Sequence, residues 1–299
     1  MNKLIRLSPT GIEYGDYAWN FASGCGNNLE GKCKGGGFNC WAYSITQRFP
    51  GHYPNGFKPT IYPEALLSPL YLEKPSRILC AFMGDLFGDW FDPEGYDTSV
   101  TYPNGQKIIN CHLKSVVKDI VWHCPQHTFI FLTKQPQNLP AWSPFPDKCH
   151  VGVTATGSEQ YSRAVYWLKE IEAKVKYISL EPLLERIQLK AWPWQLFPEG
   201  KPKGICDGVI IGACTGTNSE MSRLTEDDSG LSLMEYGSKW TAQPKIEWVR
   251  EIVEACDKAG VPVFLKNNLV PLFNTQKTIP RWATNQTGLR QEMPNVKRD

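Results

Sequence analysis

The sequence predicts an α/β protein built as an eight-stranded parallel barrel of the TIM-like (β/α)8 kind, closed or partly open. Three observations point there. Short apolar runs recur eight times along 299 residues. Several are separated by stretches with helical periodicity. No dinucleotide-binding glycine fingerprint follows the first run, which argues against a doubly wound sheet. The runs, each closing on polar or glycine residues, cover residues 18–23 (AWNFAS), 58–62 (KPTIY), 78–84 (ILCAFMG), 127–133 (HTFIFLT), 150–155 (HVGVTA), 176–181 (KYISLE), 207–213 (DGVIIGA) and 261–267 (VPVFLKN). Strand alternating with helix reads as parallel sheet.

Helices are expected over 66–74, 108–124, 158–174 and 244–260, the last closing on the Lys-Ala-Gly stop of a helix C-terminus. Three stretches are irregular: 85–107, the Trp- and Pro-rich 191–206, and 215–243. In a barrel, 85–107 and 215–243 emerge at the C-terminal mouth, where long loops form lids and substrate walls. The chain reads as one domain over 1–299, with the barrel over about 14–270 and a C-terminal extension, 271–299, that is polar, mildly basic and expected to lie extended.

A hydrophobic fraction of 41% supplies one large core. The net charge of +2 excludes the global basic field of a dedicated nucleic-acid coat, leaving only a local patch for such binding. The N-terminal residues lack the apolar core of a signal peptide, and no window reaches the ~20 apolar residues of a membrane span. A cytoplasmic protein without a membrane partner is expected. Its ten cysteines are then reduced thiols. Cys80, Cys111, Cys124, Cys149, Cys206 and Cys256 lie in or beside apolar stretches and read as buried.

Cys25, Cys33 and Cys40 are different. They share one glycine-rich loop, GCGNNLEGKCKGGGFNCWAY, just after the first run. Three thiolates suffice to hold three irons of a [4Fe–4S] cluster and leave the fourth open to a small molecule. Zinc is the alternative, although the spacing is unlike the CxxC knuckles of a zinc site and His52 is the only neighbouring fourth ligand. Unligated thiols are the third reading. The loop glycines let backbone N–H groups approach a cluster, or simply give flexibility.

The ordered series WNFASGC, CWAY, MGDLF, FLTKQPQ, GVTA, SLEPLL, IIGACTG and PVFLKN resembles an uncharacterised family of phage and bacterial radical-SAM-like proteins. That family's pattern runs WNPxxGC, CxxCYA, MSDLF, LTKRP, GVSxE, SxEPLL, GGESG, PxFFKQ. It is in turn similar to the radical S-adenosylmethionine enzymes, and among them to the spore photoproduct lyase branch, which works on DNA. Here KGGGFN puts six residues between Cys33 and Cys40 where the family has two, and Trp41 replaces a tyrosine. The resemblance implies a radical-SAM-type barrel with a [4Fe–4S] cluster on Cys25, Cys33 and Cys40. It further implies S-adenosylmethionine as second cofactor, a 5′-deoxyadenosyl radical, a nucleotide or nucleic-acid substrate, and an electron donor such as flavodoxin or ferredoxin.

Residues just past barrel strands face the shared mouth, and a charge there is costly to bury without a partner or ligand. Asp85, Lys134, Thr154, Thr156, Glu181, Gly212, Lys266 and Asn267 occupy such places. Lys134 is a candidate for the methionine carboxylate or a substrate phosphate, and Asp85 or Glu181 for ribose hydroxyls or the methionine ammonium. The opposing reading is a structural ion-pair network. Trp41 either covers the cluster, stacks near adenine, or packs in the barrel. Gly212 permits close approach to a ligand, and Cys214 beside it is a candidate hydrogen-atom donor, with a buried small residue as the alternative. Trp90, Trp192, Trp194, Trp240 and Trp282 fall in irregular stretches where they could stack on bases or close over a small substrate. Two non-radical alternatives stay open: a zinc-stabilised, non-catalytic nucleic-acid- or protein-binding barrel, and a hydrolase using Asp85 and Glu181 as acid and base.

Overall fold

The computed structural model describes residues 4–95, 98–101, 105, 107–189, 205–226, 228–274, 278–285 and 288–294. Strand β1 (Leu7–Pro9) runs antiparallel to β2 (Tyr17–Trp19), with Leu7 opposite Trp19. Then β3 (Ala22–Ser23) pairs with β6 (Thr60–Ile61), and β4 (Asn28–Leu29) with β5 (Lys32–Cys33), ahead of and around helix α1 (Trp41–Arg48). Strand β7 (Arg77–Cys80) is followed by the hairpin of β8 (Thr98–Thr101) and β9 (Lys107–Cys111), by α2 (Leu113–His123), by β10 (Thr128–Thr133) and by the short α3 (Leu139–Trp142). Next come β11 (Cys149–Thr154), α4 (Ser158–Lys169), β12 (Val175–Leu180) and β13 (Gly208–Ile211). Strand β14 (Cys214–Gly216), α5 (Asn218–Leu224) and the hairpin β15 (Ser232–Tyr236) and β16 (Lys239–Gln243) precede α6 (Ile246–Ala259) and β17 (Val263–Leu265). Two-residue strands β18 (Thr284–Asn285) and β19 (Gly288–Leu289) close the series.

Eight strands form one mostly parallel sheet in the order β1-β2-β7-β10-β11-β12-β13-β17. No pairing between β1 and β17 is present among the described residues, so the closed form of the expected barrel is not observed. Seven of the eight predicted runs contribute a strand to this sheet. The exception is 58–62, whose Thr60–Ile61 pairs antiparallel with β3 instead, and the eighth place goes to β1. Proline at 59 and 63 leaves that run only two pairing residues.

Two compact units are distinguished, each with its own core. The first comprises 1–32, 40–152 and 170–175. Its largest buried side chains include Trp19, Phe21 and Phe129, with Trp19 4.3 Å from Phe21 and 5.9 Å from Phe129. The indole N–H of Trp19, which burial would otherwise strand, donates to the Ala65 carbonyl at 2.8 Å. The second unit comprises 33–39, 153–169 and 176–299. Helix α6 buries Val249, Ile252, Val253 and Cys256, a 3,1,3 spacing that puts them on one stripe.

Several local expectations change. Residues 66–74 hold a 3-10 turn over Ser68–Tyr71 rather than an α-helix, since Pro69 and Pro75 bound too short a segment. Helix α2 starts only at Leu113, because 107–111 is taken by β9. The irregular 85–107 and 215–243 stretches both contain hairpin strands. Cys111 is only partly buried. The C-terminal segment is paired rather than loose: Leu265 donates to the Arg290 carbonyl at 2.8 Å and Glu292 to that of Val263 at 3.0 Å, which adds 290–292 to the β17 edge. The 191–206 stretch, with Trp192 and Trp194, lies outside the described residues up to position 204. No described helix is long and apolar enough to cross a membrane.

Candidate functional site

In the first unit, the chain reaches Cys25 through a close backbone approach. Gly24 has φ +87, and its N–H donates to the Met83 carbonyl at 3.0 Å, while Asp85 donates back to Gly24 at 3.3 Å. A Cβ on Gly24 would strike the Lys58 carbonyl, and one on Gly84 would strike the Gly24 backbone. Only glycine fits either place, so MGD and SGC interlock through missing side chains. Trp90 lies against Gly26 and Gly88 and donates its indole N–H to the Asp85 carbonyl at 3.1 Å. Cys40 is the N-cap of α1; its N–H donates to Gly31 at 2.8 Å, and it packs beside Ala42, Tyr53 and Met83. A helix N-terminus favours a thiolate over a thiol. Trp41, the first residue of α1, is 54% exposed.

Asp85 is buried, and each oxygen is occupied. Oδ1 accepts from the Thr133 hydroxyl at 2.7 Å and from Phe87 N–H at 3.1 Å, and Oδ2 accepts from Lys134 N–H at 2.9 Å. The Thr133 hydroxyl itself accepts from Gln135 N–H at 2.8 Å, which leaves its proton for the carboxylate. Burial pushes the Asp85 carboxyl up, against the pull of Thr133 and Lys134. Asp85 therefore staples the loop after β7 to the end of β10.

In the second unit, Glu181, Gly212 and Lys266 follow directly on β12, β13 and β17. Lys266 Nζ meets Glu181 Oε1 at 2.5 Å, with side chains 12% and 22% exposed. Gly212 sits against both: a Cβ there would lie 3.1 Å from the Glu181 stem and 3.2 Å from that of Lys266. Asn268 brackets the Ala213 peptide, accepting from its N–H at 3.1 Å and donating to its carbonyl at 2.8 Å. Asn267 instead accepts from the Gln291 amide at 2.9 Å. Ala155 N–H donates to Ser179 at 2.9 Å, a parallel register that sets Thr154 beside Ser179 on the sheet face shared with Glu181. Both hydroxyls are buried, at 5% and 1% exposure, and neither has a hydrogen-bond partner. Such groups are costly to leave unpaired and fit a polar ligand or ordered water.

Thr156 serves a different purpose. Its hydroxyl reaches the Gly35 carbonyl at 3.0 Å, helped by the Gln160 amide at 3.2 Å. Cys214 is buried with Met221 and Ala242, Phe38 packs on the same cluster, and burial pushes the Cys214 thiol up to about 12. Trp240 flanks that cluster, while Trp282 stacks edge-on against Phe273 at 5.8 Å.

Sequence reasoning missed Ser179, Asn268, Phe38 and Glu220. Ser179 was accessible, being two residues before Glu181 and so on the same strand face. Glu220 was accessible as the fourth residue of the Thr217-x-x-Glu capping-box pattern, whereas Asn268 carries no signal apart from its tertiary partners.

Of the ten cysteines none forms a disulfide; Cys25, Cys33, Cys40 and Cys111 are partly exposed and six are buried. Among the described residues no group of three or more His, Cys, Asp or Glu side chains is assembled that could hold a metal ion. The donor chemistry nonetheless fits a soft metal cluster: three partly exposed sulfurs on one loop, one of them at a helix N-terminus. The two orphaned hydroxyls beside a carboxylate–ammonium pair fit a polar cofactor.

Comparison with solved structures finds spore photoproduct lyase. A variant with dinucleoside spore photoproduct matches at 12% identity and TM-score 0.51, covering 87% of this chain and 79% of that one. A second variant matches at 11% identity and TM-score 0.50, covering 89% and 79%. At these identities the likeness is one of fold. No curated protein matches in sequence. A family described as "Protein of unknown function (DUF5131)" matches residues 9–269, most of the sequence, and the chain belongs to that family.

Proposed function

We propose that this chain is a radical S-adenosylmethionine enzyme that modifies or repairs a nucleotide or nucleic-acid component. The observation that carries the reading is the 25–40 loop: three partly exposed thiols in a chain that buries six of the other seven. The fold likeness supports it, because spore photoproduct lyase is seen with a dinucleoside photoproduct. Cys25, Cys33 and Cys40 would hold a [4Fe–4S] cluster, with an iron left for S-adenosylmethionine. When bound, this pair supplies one-electron reductive cleavage to methionine and a 5′-deoxyadenosyl radical.

The chain's own residues bind, orient and shield. Thr154 and Ser179 offer hydroxyls that lack partners, suited to the polar edge of the cofactor. Glu181 offers an anion to an ammonium or ribose hydroxyl, and Lys266 holds it in place. Gly212 leaves the adjoining wall without a side chain. Asp85 keeps the β7 and β10 ends in register and presents Lys134, whose ammonium suits a carboxylate or phosphate. Trp41 is an exposed aromatic next to a cluster ligand, suited to covering it or to an electron-donor protein such as flavodoxin or ferredoxin. Cys214 is a protonated thiol at neutral pH, the form that carries a transferable hydrogen.

The test is direct. Protein purified anaerobically should be brown, carry iron and acid-labile sulfide, and after reduction release 5′-deoxyadenosine from S-adenosylmethionine. Triple Cys→Ala substitution at 25, 33 and 40 should abolish this. A colourless protein holding one zinc, or turnover that survives the triple substitution, overturns the assignment.

A further inference from the structure

The segment from Cys33 to Asn39 contains the residues that depart from the family pattern, and it is anchored at three points within the second unit. The Gly35 carbonyl accepts from the Gln160 amide at 3.2 Å and lies 3.0 Å from the Thr156 hydroxyl, whose single proton is shared between it and Gln160 Oε1 at 2.5 Å. Gln160 is in turn held by Thr156, whose N–H donates to its Oε1 at 2.6 Å. Phe38 is packed on the buried cluster of Cys214, Met221 and Ala242. The Asn39 amide donates to Glu220, whose other carboxylate oxygen accepts from Thr217 N–H at 2.8 Å in the capping box of α5. These anchors come from Thr156 just ahead of α4 and from α4, α5, β14 and β16, none of which the cysteine loop needs for its own turns.

Cys33 is part of the same fold-back. Its N–H donates to the Phe38 carbonyl at 2.9 Å, and its carbonyl accepts from Gly37 N–H at 2.8 Å. Both backbone groups of the cysteine are therefore closed onto the residues that the anchors hold. A glycine run of this kind would otherwise sample many conformations, with a large entropic cost to ordering Cys33.

We infer that Phe38, Thr156, Gln160 and Glu220 are positioning residues for Cys33, holding the KGGGFN segment so that this thiol is presented before any metal arrives. The inference rests on the cluster assignment made above, but its structural half is measurable without a cluster. Lys34 is exposed within the segment, and trypsin cleavage there requires local release of the chain.

The experiment compares wild type with the pair of substitutions Phe38→Ala and Thr156→Val, and with the conservative pair Phe38→Leu and Thr156→Ser. Apo protein is digested with trypsin, and cleavage after Lys34 is followed by mass spectrometry, with thermal unfolding as the check that each variant is folded. In parallel, each protein is reconstituted anaerobically with iron and sulfide, desalted, assayed for both and examined by electron paramagnetic resonance after reduction. The Ala/Val pair should be cut roughly tenfold faster, retain less than about half the wild-type iron on the expectation that an unanchored ligand loop binds metal more weakly, and show a broadened or shifted spectrum. The Leu/Ser pair should recover most of each property. Unchanged cleavage overturns the anchoring, and faster cleavage with wild-type iron and spectrum overturns the positioning of Cys33. Wild type that takes up no iron at all removes the cluster and, with it, the positioning role, whatever the cleavage rates.

Discussion

Two carboxylates follow two parallel strands of the same sheet, and they are treated in opposite ways. Asp85, in the first unit, is buried and saturated by a hydroxyl and two backbone N–H groups. Glu181, in the second, is paired with one ammonium, keeps 22% of its side chain exposed, and shares its sheet face with two buried hydroxyls that lack partners. Neutral donors supplied by the local backbone make a rigid staple with no remaining capacity. A single flexible cation beside orphaned hydroxyls makes a place where hydrogen bonds are still to be formed. The difference teaches that a charged residue at a strand end is diagnostic of a site only when its lone pairs are not already used.

The contrast breaks first at Asp85. Asp85→Ala would leave the Thr133 hydroxyl and the N–H groups of Phe87 and Lys134 without their acceptor inside the protein, at roughly 1–3 kcal/mol for each unsatisfied group. A loss of about 4 kcal/mol, after partial relaxation, is expected in urea unfolding of the apo protein. A loss under about 1 kcal/mol would show that the staple carries no weight and would return Asp85 to the list of residues free to serve a ligand.

The orphaned groups give the second test. His150, in the first unit, is 5% exposed with neither ring nitrogen hydrogen-bonded, and burial lowers its pKa to about 4. The unfolded chain takes up that proton near 6.5 and the folded chain only near 4. As pH falls through this window the unfolded state binds more protons, so stability is complete above about 6.5 and drops by up to about 3 kcal/mol by pH 4. His150→Leu should remove that part of the acid sensitivity, seen as urea midpoints that differ between variant and wild type at pH 4.5 more than at pH 7.5. Parallel pH profiles would mean His150 finds a partner in solution. Unlike Thr154 and Ser179, an imidazole in a hydrocarbon setting has a protonation penalty, whereas a hydroxyl is neutral at every pH in this range.

Much of this was legible in the chain, and the exceptions have physical causes. Seven of the predicted runs, 18–23 and the six from 78–84 onward, became sheet strands because parallel strands buried on both faces need continuous apolar sequence, as β11 shows by burying all six of its residues. The run 58–62 has the right composition but prolines at both borders, and β1 was overlooked because three residues with Pro9 at the end carry no periodicity. The glycines of the cysteine loop were visible, but the collisions that make Gly24 and Gly84 necessary are with segments far away in sequence, Lys58 for Gly24 and Gly24 itself for Gly84. The ranking of Asp85 and Glu181 as equals had the same origin: composition locates a charge at a strand end, while its partners are decided by which neighbouring strand delivers a hydroxyl, an N–H or an ammonium.

The smallest effect is expected where the contrast is finest, at the Glu181–Lys266 pair. Its members are 22% and 12% exposed, between the surface regime in which an ion pair contributes little and the buried regime in which losing one partner is severe. Lys266→Met keeps the stem against Gly212 and removes the charge; Glu181→Gln keeps the shape and an acceptor. Each alone should cost about 1–2 kcal/mol, and the double variant about 1 kcal/mol less than their sum. Additive losses would mean that the pair is not coupled and that Lys266 does not set the orientation of Glu181. On the proposed function, a coupled pair predicts in addition that Lys266→Met weakens the thermal stabilisation of the reconstituted protein by S-adenosylmethionine more than Asp85→Asn does, which keeps an acceptor for Thr133 but not for Lys134 N–H. That ordering separates Asp85, whose oxygens are both occupied within the fold, from Glu181, which the proposed function gives to a ligand.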